Sequence, residues 1–129
     1  MAPYQRQELG EFSSTVCLKS LIKNIVRCGG AAILIRGGKG RGQELAEQLG
    51  VMQKAYADDE LRQMLASALG PEGTRLCIVE EIETSESMIK VKTRETACSF
   101  LEEPGSDLTC LFTMGTFAGF FEVTTGKRI

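Results

Sequence analysis

The side chains best suited to chemistry in this chain are its five cysteines. Cys17 and Cys28 share one face of a predicted helix but lie about 16 Å apart along its axis, so they cannot bind one ion together. Cys98 and Cys110 are separated by a predicted loop and could converge, with Glu95 or Glu102 as a third ligand. Structural zinc sites have four ligands, and a free cysteine is also an ordinary core residue. The sequence therefore leaves open whether the chain binds a metal, and Cys98 and Cys110 are the candidate ligands.

The glycine-rich segment 37–42 is a candidate phosphate-binding loop. A phosphate-binding P-loop needs Gly-x4-Gly-Lys-Ser/Thr, but here Gly38-Lys39 is followed by Gly40. The glycines also miss the Gly-x-Gly-x-x-Gly spacing of dinucleotide-binding loops. Residues 31–50 could still form a strand, a phosphate loop and a helix, or they could form one helix.

Hydrophobic phase favours the single helix. One stripe continues through the glycines: Ala31, Leu34, Ile35, Gly38, Gly42, Leu45, Ala46 and Leu49. Four glycines inside a helix cost about 1 kcal/mol each relative to alanine. Close approach of another backbone along Gly38 and Gly42 would offset that cost.

The final segment is the most apolar part of the chain. Four of the six phenylalanines lie within residues 112–121. Length and the four-residue spacing of Gly115 and Gly119 favour a helix over 108–123 that is apolar nearly all round and therefore central. This helix could be core alone, or it could wall an apolar cavity. The wall would contain Met114, Phe117, Phe120 and Phe121.

Composition excludes several classes of function. The sequence has no histidine, which excludes His-ligated haem, His-containing zinc sites and Ser-His-Asp or Cys-His catalysis within this chain. A net charge of −2 argues against nucleic-acid binding. No apolar run is long enough to span a bilayer, and the N-terminus lacks a signal-peptide core. Reduced thiols and a cytoplasmic location are expected.

The remaining patterns predict one α+β domain over residues 12–129, after a polar arm over 1–11. A helical layer is expected to pack on a small antiparallel sheet. Ser13 or Ser14 caps an amphipathic first helix, and Asp58 or Asp59 caps a third that ends at Gly70-Pro71. Strands are predicted at 76–79 and 88–93, joined by the polar segment 83–87. A helical turn over 97–101 precedes the Pro104-Gly105 loop.

This order of elements resembles the four-vinyl-reductase domain family. The strongest matches lie in one motif: Cys110, Phe112, Gly115, Ala118, Gly119, Phe120, Thr125 and Gly126. The resemblance spans residues 12–129 and implies the fold of TRAPP vesicle-tethering subunits and haem nitric-oxide sensor domains. Family members continue past Thr-Gly-Lys with two further strands that carry cysteines, whereas this sequence stops at Ile129.

The resemblance implies a non-catalytic binding module for an apolar or tetrapyrrole-like small molecule, acting as a sensor or accessory subunit. It also implies a homodimer through the N-terminal helices. The expected ligand-binding residues are Gly38, Gly42, Cys98, Cys110, Met114, Phe117, Phe120 and Phe121. Lys39 or Arg41 would meet a carboxylate or head group. The alternatives are a TRAPP-like assembly subunit without a ligand, and an accessory protein in chlorophyll biosynthesis or photosystem assembly.

Overall fold

The computed structural model describes residues 5–99, 102–103 and 110–129. Within these ranges the helices are α1 (Thr15–Arg27), α2 (Ala31–Gln48), α3 (Asp58–Leu69) and α4 (Leu111–Thr125). The strands are β1 (Ile78–Thr84) and β2 (Ile89–Arg94), followed by a 3₁₀ turn at Ala97–Ser99. The α+β architecture, with helices packed on a small antiparallel sheet, is confirmed. The predicted Pro104-Gly105 loop and the predicted helix start at residue 108 lie outside the described residues.

Residues 31–48 form one continuous helix, as the hydrophobic phase predicts. Gly38 and Gly42 are buried on its inner face, whereas Gly37 and Gly40 point to solvent. The glycine-rich segment is therefore a helix surface, and its backbone N–H groups are used within the helix rather than offered to a phosphate.

The two inner glycines let α4 approach α2 backbone to backbone. A Cβ built on Gly42 would lie 2.0 Å from the carbonyl oxygen of Thr116. On the facing helix, a Cβ on Gly119 would lie 2.1 Å from the carbonyl oxygen of Lys39. Gly115 and Gly38 meet in the same way one turn away. The predicted close approach is confirmed, and it identifies the α2–α4 contact as the centre of the fold.

The sheet is a hairpin whose first strand is longer than predicted. β1 begins at Ile78 rather than at the predicted residue 76 and continues to Thr84. The predicted connection at 83–87 is therefore wrong at its start, and the turn is confined to 85–88. The extension is polar because its outer face is exposed. There Glu81 lies opposite Lys92 and Glu83 opposite Lys90, and opposite charges facing each other across a hairpin stabilise it.

The start of α3 also differs from its prediction. Ala57 is the N-cap, and neither Asp58 nor Asp59 caps the helix with its side chain. The carboxylate of Asp58 instead accepts hydrogen bonds from the hydroxyl of Thr84 at 2.5 Å and from its backbone N–H at 3.3 Å. Asp58 therefore ties α3 to the end of β1, while its charge still favours the helix N-terminus. Helix α3 ends at Gly70, as predicted.

The main core lies between α2, α3, α4 and the inner face of the hairpin. Phe120 and Leu65 are fully buried at its centre. Helix α1 joins a smaller cluster in which Ile22 packs with Leu34 and Cys98. Ser14 caps α1 by accepting from the N–H of Val16, as predicted.

The apolar face of α1 is less buried than its pattern indicates. Val16 and Leu21 remain 59% and 57% exposed. Ile33 near the start of α2 is 68% exposed. The described part of the chain leaves these three apolar side chains uncovered.

Candidate binding site

A cleft of about 680 Å³ lies between β2 and α4. This volume falls within the range of small-molecule sites, which is about 300–1,000 Å³. Ile89 and Val91 form one wall, and Phe117 and Phe121 form the other. The cleft is therefore an apolar groove whose two walls come from a strand and a helix.

Helix α4 divides its side chains between two partners. Gly115 and Gly119 face α2, where their missing side chains permit the close backbone contact. The stripe at Cys110, Met114, Phe117, Ala118 and Phe121 faces the hairpin and lines the cleft. Because the glycine face must turn toward α2, the phenylalanine-bearing stripe is directed toward β2.

Four of the eight predicted ligand-binding residues line the cleft: Cys110, Met114, Phe117 and Phe121. Met114 is half exposed at its rim, while Phe117 and Phe121 are buried in its wall. The other four lie outside it. Gly38 and Gly42 face the opposite side of α4, Phe120 is buried in the main core, and Cys98 lies behind the cleft.

The wall formed by β2 was absent from the predicted site. The alternation of Ile89 and Val91 with Lys90 and Lys92 signals a strand with one apolar face, and the structure confirms that pattern. Alternation identifies the face but not the element that packs against it. Lys127 and Arg128 line the end of the cleft near the hairpin turn. They were also missed, because the sequence does not show which element the segment after α4 lies against.

Three threonines make the opposite end of the cleft polar without charge. The hydroxyls of Thr93 and Thr96 hydrogen-bond each other at 3.1 Å. The hydroxyl of Thr113 lies 3.1 Å from the thiol of Cys98. Since these groups are mutually satisfied, they line the cleft without the penalty of unpaired buried polar atoms.

The buried thiols are poorly suited to nucleophilic or ligand chemistry in this state. Burial raises the pKa of Cys98, although its hydrogen bond with Thr113 lowers that pKa in part. Burial raises the pKa of Cys77 to about 11, with a smaller contribution from Cys98. Both thiols are therefore protonated at neutral pH, whereas metal binding and nucleophilic attack need the thiolate. All five cysteines are described, and no disulfide joins them.

Lys39 and Arg41, the predicted head-group contacts, are engaged elsewhere. The ammonium group of Lys39 pairs with Glu122 at 3.0 Å and also contacts the backbone oxygen of Ile129. Arg41 lies 3.7 Å from Glu44 on the same helix. Neither side chain lines the cleft.

Glu122 anchors the segment that carries Lys127 and Arg128. Its carboxylate accepts from the N–H of Ile129 at 3.0 Å and from Lys39 on α2. These two contacts, in that order, hold the pKa of Glu122 below its ordinary value. The segment after α4 is thereby held against α2, and this contact positions its two cations at the cleft.

We expect the stabilising effect of Glu122 to depend on pH. A carboxyl group whose pKa is lowered by folding stabilises the folded state above its unfolded pKa, and that contribution is lost as pH falls through the folded pKa. At pH 7 the Glu122→Gln variant should melt about 2–4 °C below the wild type. The difference should shrink once the pH falls below 4.5, the ordinary pKa of the group. Thermal melts of both proteins between pH 7 and pH 3 measure it, and a pH-independent difference would contradict the assignment.

Two features are absent from the described ranges. No group of three or more Cys, Asp or Glu side chains there is arranged to hold a metal ion. None of the helices described has both the length and the hydropathy needed to cross a bilayer.

Comparisons of this chain with protein-family models, with curated proteins and with solved structures found no match.

Proposed function

We propose that this chain is a non-catalytic binding module for an apolar small molecule, which it holds in the cleft between β2 and α4. The observation that carries the proposal is the pair of apolar walls enclosing about 680 Å³. Small-molecule sites are concave and mostly apolar, with a few polar groups that fix orientation. The resemblance to the four-vinyl-reductase domain supports the same function, because two residues of its motif, Cys110 and Ala118, line the cleft.

The chemistry of the lining favours binding over catalysis. The hydroxyls of its threonines are already hydrogen-bonded: Thr93 with Thr96, Thr113 with Cys98, and Thr125 with the backbone oxygen of Phe121. Met114 at the rim has an unbranched and adaptable side chain, which suits a wall that admits ligands of varied shape. A tetrapyrrole edge and a hydrocarbon chain are both compatible with such walls.

We also propose that the protein is a cytoplasmic homodimer. Val16 and Leu21 on α1 and Ile33 on α2 are exposed apolar side chains, and burying them against a second copy would be favourable. A second copy of the chain presents the same side chains, so a two-fold contact would bury both sets at once. The cytoplasmic assignment is supported by five cysteines without a disulfide.

A ligand-free assembly subunit is the second candidate. The hairpin has two strands, and the described residues provide no neighbour along either edge. Unpaired edges are templates for another strand. In this reading a partner protein covers the cleft and extends the sheet, as in a TRAPP-like scaffold. A role in chlorophyll biosynthesis or photosystem assembly would be a special case of either candidate.

Native mass spectrometry of protein purified from its own host tests the proposal. We expect a dimer that carries an organic molecule, at one per chain or one per dimer, which denaturing extraction releases. A ligand-free dimer that also takes up no added hydrocarbon or porphyrin probe would contradict the binding function and favour the assembly subunit. A monomer would contradict the dimer.

A further inference from the structure

The two ends of the cleft differ in charge. Strand β2 runs antiparallel to α4, so the hairpin turn lies near the end of α4 and Thr93 lies near its start. At the threonine end the polar groups are neutral and mutually hydrogen-bonded. At the hairpin end Lys127 and Arg128 line the opening. A ligand in the cleft therefore meets apolar walls along its length and positive charge at one end.

The two cations at the opening are not held in ion pairs. Within the described part of the chain, neither Lys127 nor Arg128 forms an ion pair with a carboxylate. Glu122 is the nearest acidic side chain along the chain, but Lys39, Gln43 and the N–H of Ile129 occupy its oxygens. Glu86, the carboxylate among the described lining residues, lies in the hairpin turn and pairs with neither cation.

We propose that the ligand is an amphipathic carboxylate of the fatty-acid type. Its chain lies between Val91 and Phe117, and its carboxylate lies at Lys127 and Arg128. This inference rests on the proposed binding function and names the class of ligand. A carboxylate is strongly disfavoured between apolar walls, whereas at the opening it keeps part of its hydration and gains two cations. The charges therefore also fix the direction in which the chain enters.

The test uses a matched pair of fluorescent probes, cis-parinaric acid and its methyl ester, which share one chain and differ in charge. Titration of the wild type should show the acid binding about three- to tenfold more tightly than the ester, because both cations are solvent-accessible. That preference should weaken as salt is added. The K127A/R128A double variant should bind the ester as the wild type does but lose the preference for the acid.

The double variant K90A/K92A is the matched control. It also removes two positive charges from the protein, but these lysines lie on the outer face of the hairpin opposite glutamates. It should retain the preference for the acid. Equal affinity of the wild type for acid and ester would overturn the carboxylate inference and leave the apolar binding function standing. Failure of both probes to bind would overturn both. Loss of the preference in K90A/K92A as well would show that net charge, rather than the cleft opening, is responsible.

Discussion

Replacing Gly42 by alanine should destabilise the protein by about 2–4 kcal/mol. The added methyl group would lie 2.0 Å from the carbonyl oxygen of Thr116 and 2.7 Å from the backbone nitrogen of Phe120. Both atoms belong to the backbone of α4, so no side chain can rotate away to make room. Helix α4 would have to move outward, which would open the main core and shift one wall of the cleft.

Gly40→Ala is the matched control for this effect. It lies on the same helix, but a Cβ at this position meets nothing within 4 Å. Since alanine is the better helix former, this variant should be more stable than the wild type by up to about 1 kcal/mol. Urea unfolding followed by circular dichroism measures both variants, which should deviate in opposite directions. If Gly42→Ala were as stable as Gly40→Ala, the close packing of α2 against α4 would be wrong.

The helical periodicity of the hydrophobic residues was enough to predict α2 and its close contact with another helix or strand. The stripe through Gly38 and Gly42 kept its phase, which a loop has no reason to do, and α2 is indeed one helix. The cost of those glycines also predicted a neighbouring backbone, and α4 provides it. These inferences succeeded because they depend on local geometry and on a backbone cost that needs compensation.

Other parts of the fold depend on tertiary partners that local patterns do not reveal. The sequence predicts Asp58 as an N-cap, but its carboxylate instead accepts a hydrogen bond from Thr84, which is 26 residues away in the sequence. The end of β1 contains Glu83 and Thr84, which suggest a loop until their partners on β2 are known. The exposed face of α1 has the same origin, because amphipathicity shows that a face is apolar but not what covers it.

Only four of the eight predicted ligand-binding residues line the cleft, again because the sequence does not reveal which elements pack together. Helix α4 is apolar nearly all round, so periodicity does not say which side faces a cavity. Phe117 and Phe120 are the same residue type and both belong to the main core, yet Phe117 also lines the cleft and Phe120 does not. The glycine pair Gly115 and Gly119 is the signal that separates them, because it fixes which side turns toward α2.

Filling the cleft at Ala118 should weaken the binding of an apolar ligand without unfolding the protein. Ala118 is half-buried on the lining stripe of α4, between Met114 and Phe121. In Ala118→Phe an aromatic ring would enter the space between α4 and β2. Because that space is open, the ring should be accommodated with a small change in stability. We expect the affinity for a hydrocarbon probe to fall at least about tenfold, which corresponds to about 1.4 kcal/mol.

Ala32→Phe provides the matched control, since it adds the same ring to an exposed position near the start of α2, away from the cleft. Its affinity should equal that of the wild type. Unfolding curves of both variants establish that any loss of binding occurs in a folded protein.

The titration of wild type, Ala118→Phe and Ala32→Phe with the neutral methyl ester of cis-parinaric acid tests the central claim most directly, because it isolates the apolar walls from the charged opening. Saturable binding by the wild type and Ala32→Phe, with at least about a tenfold loss in Ala118→Phe, is the predicted result. Equal binding by all three proteins would place the ligand elsewhere, and no binding by the wild type would contradict the function proposed for the cleft.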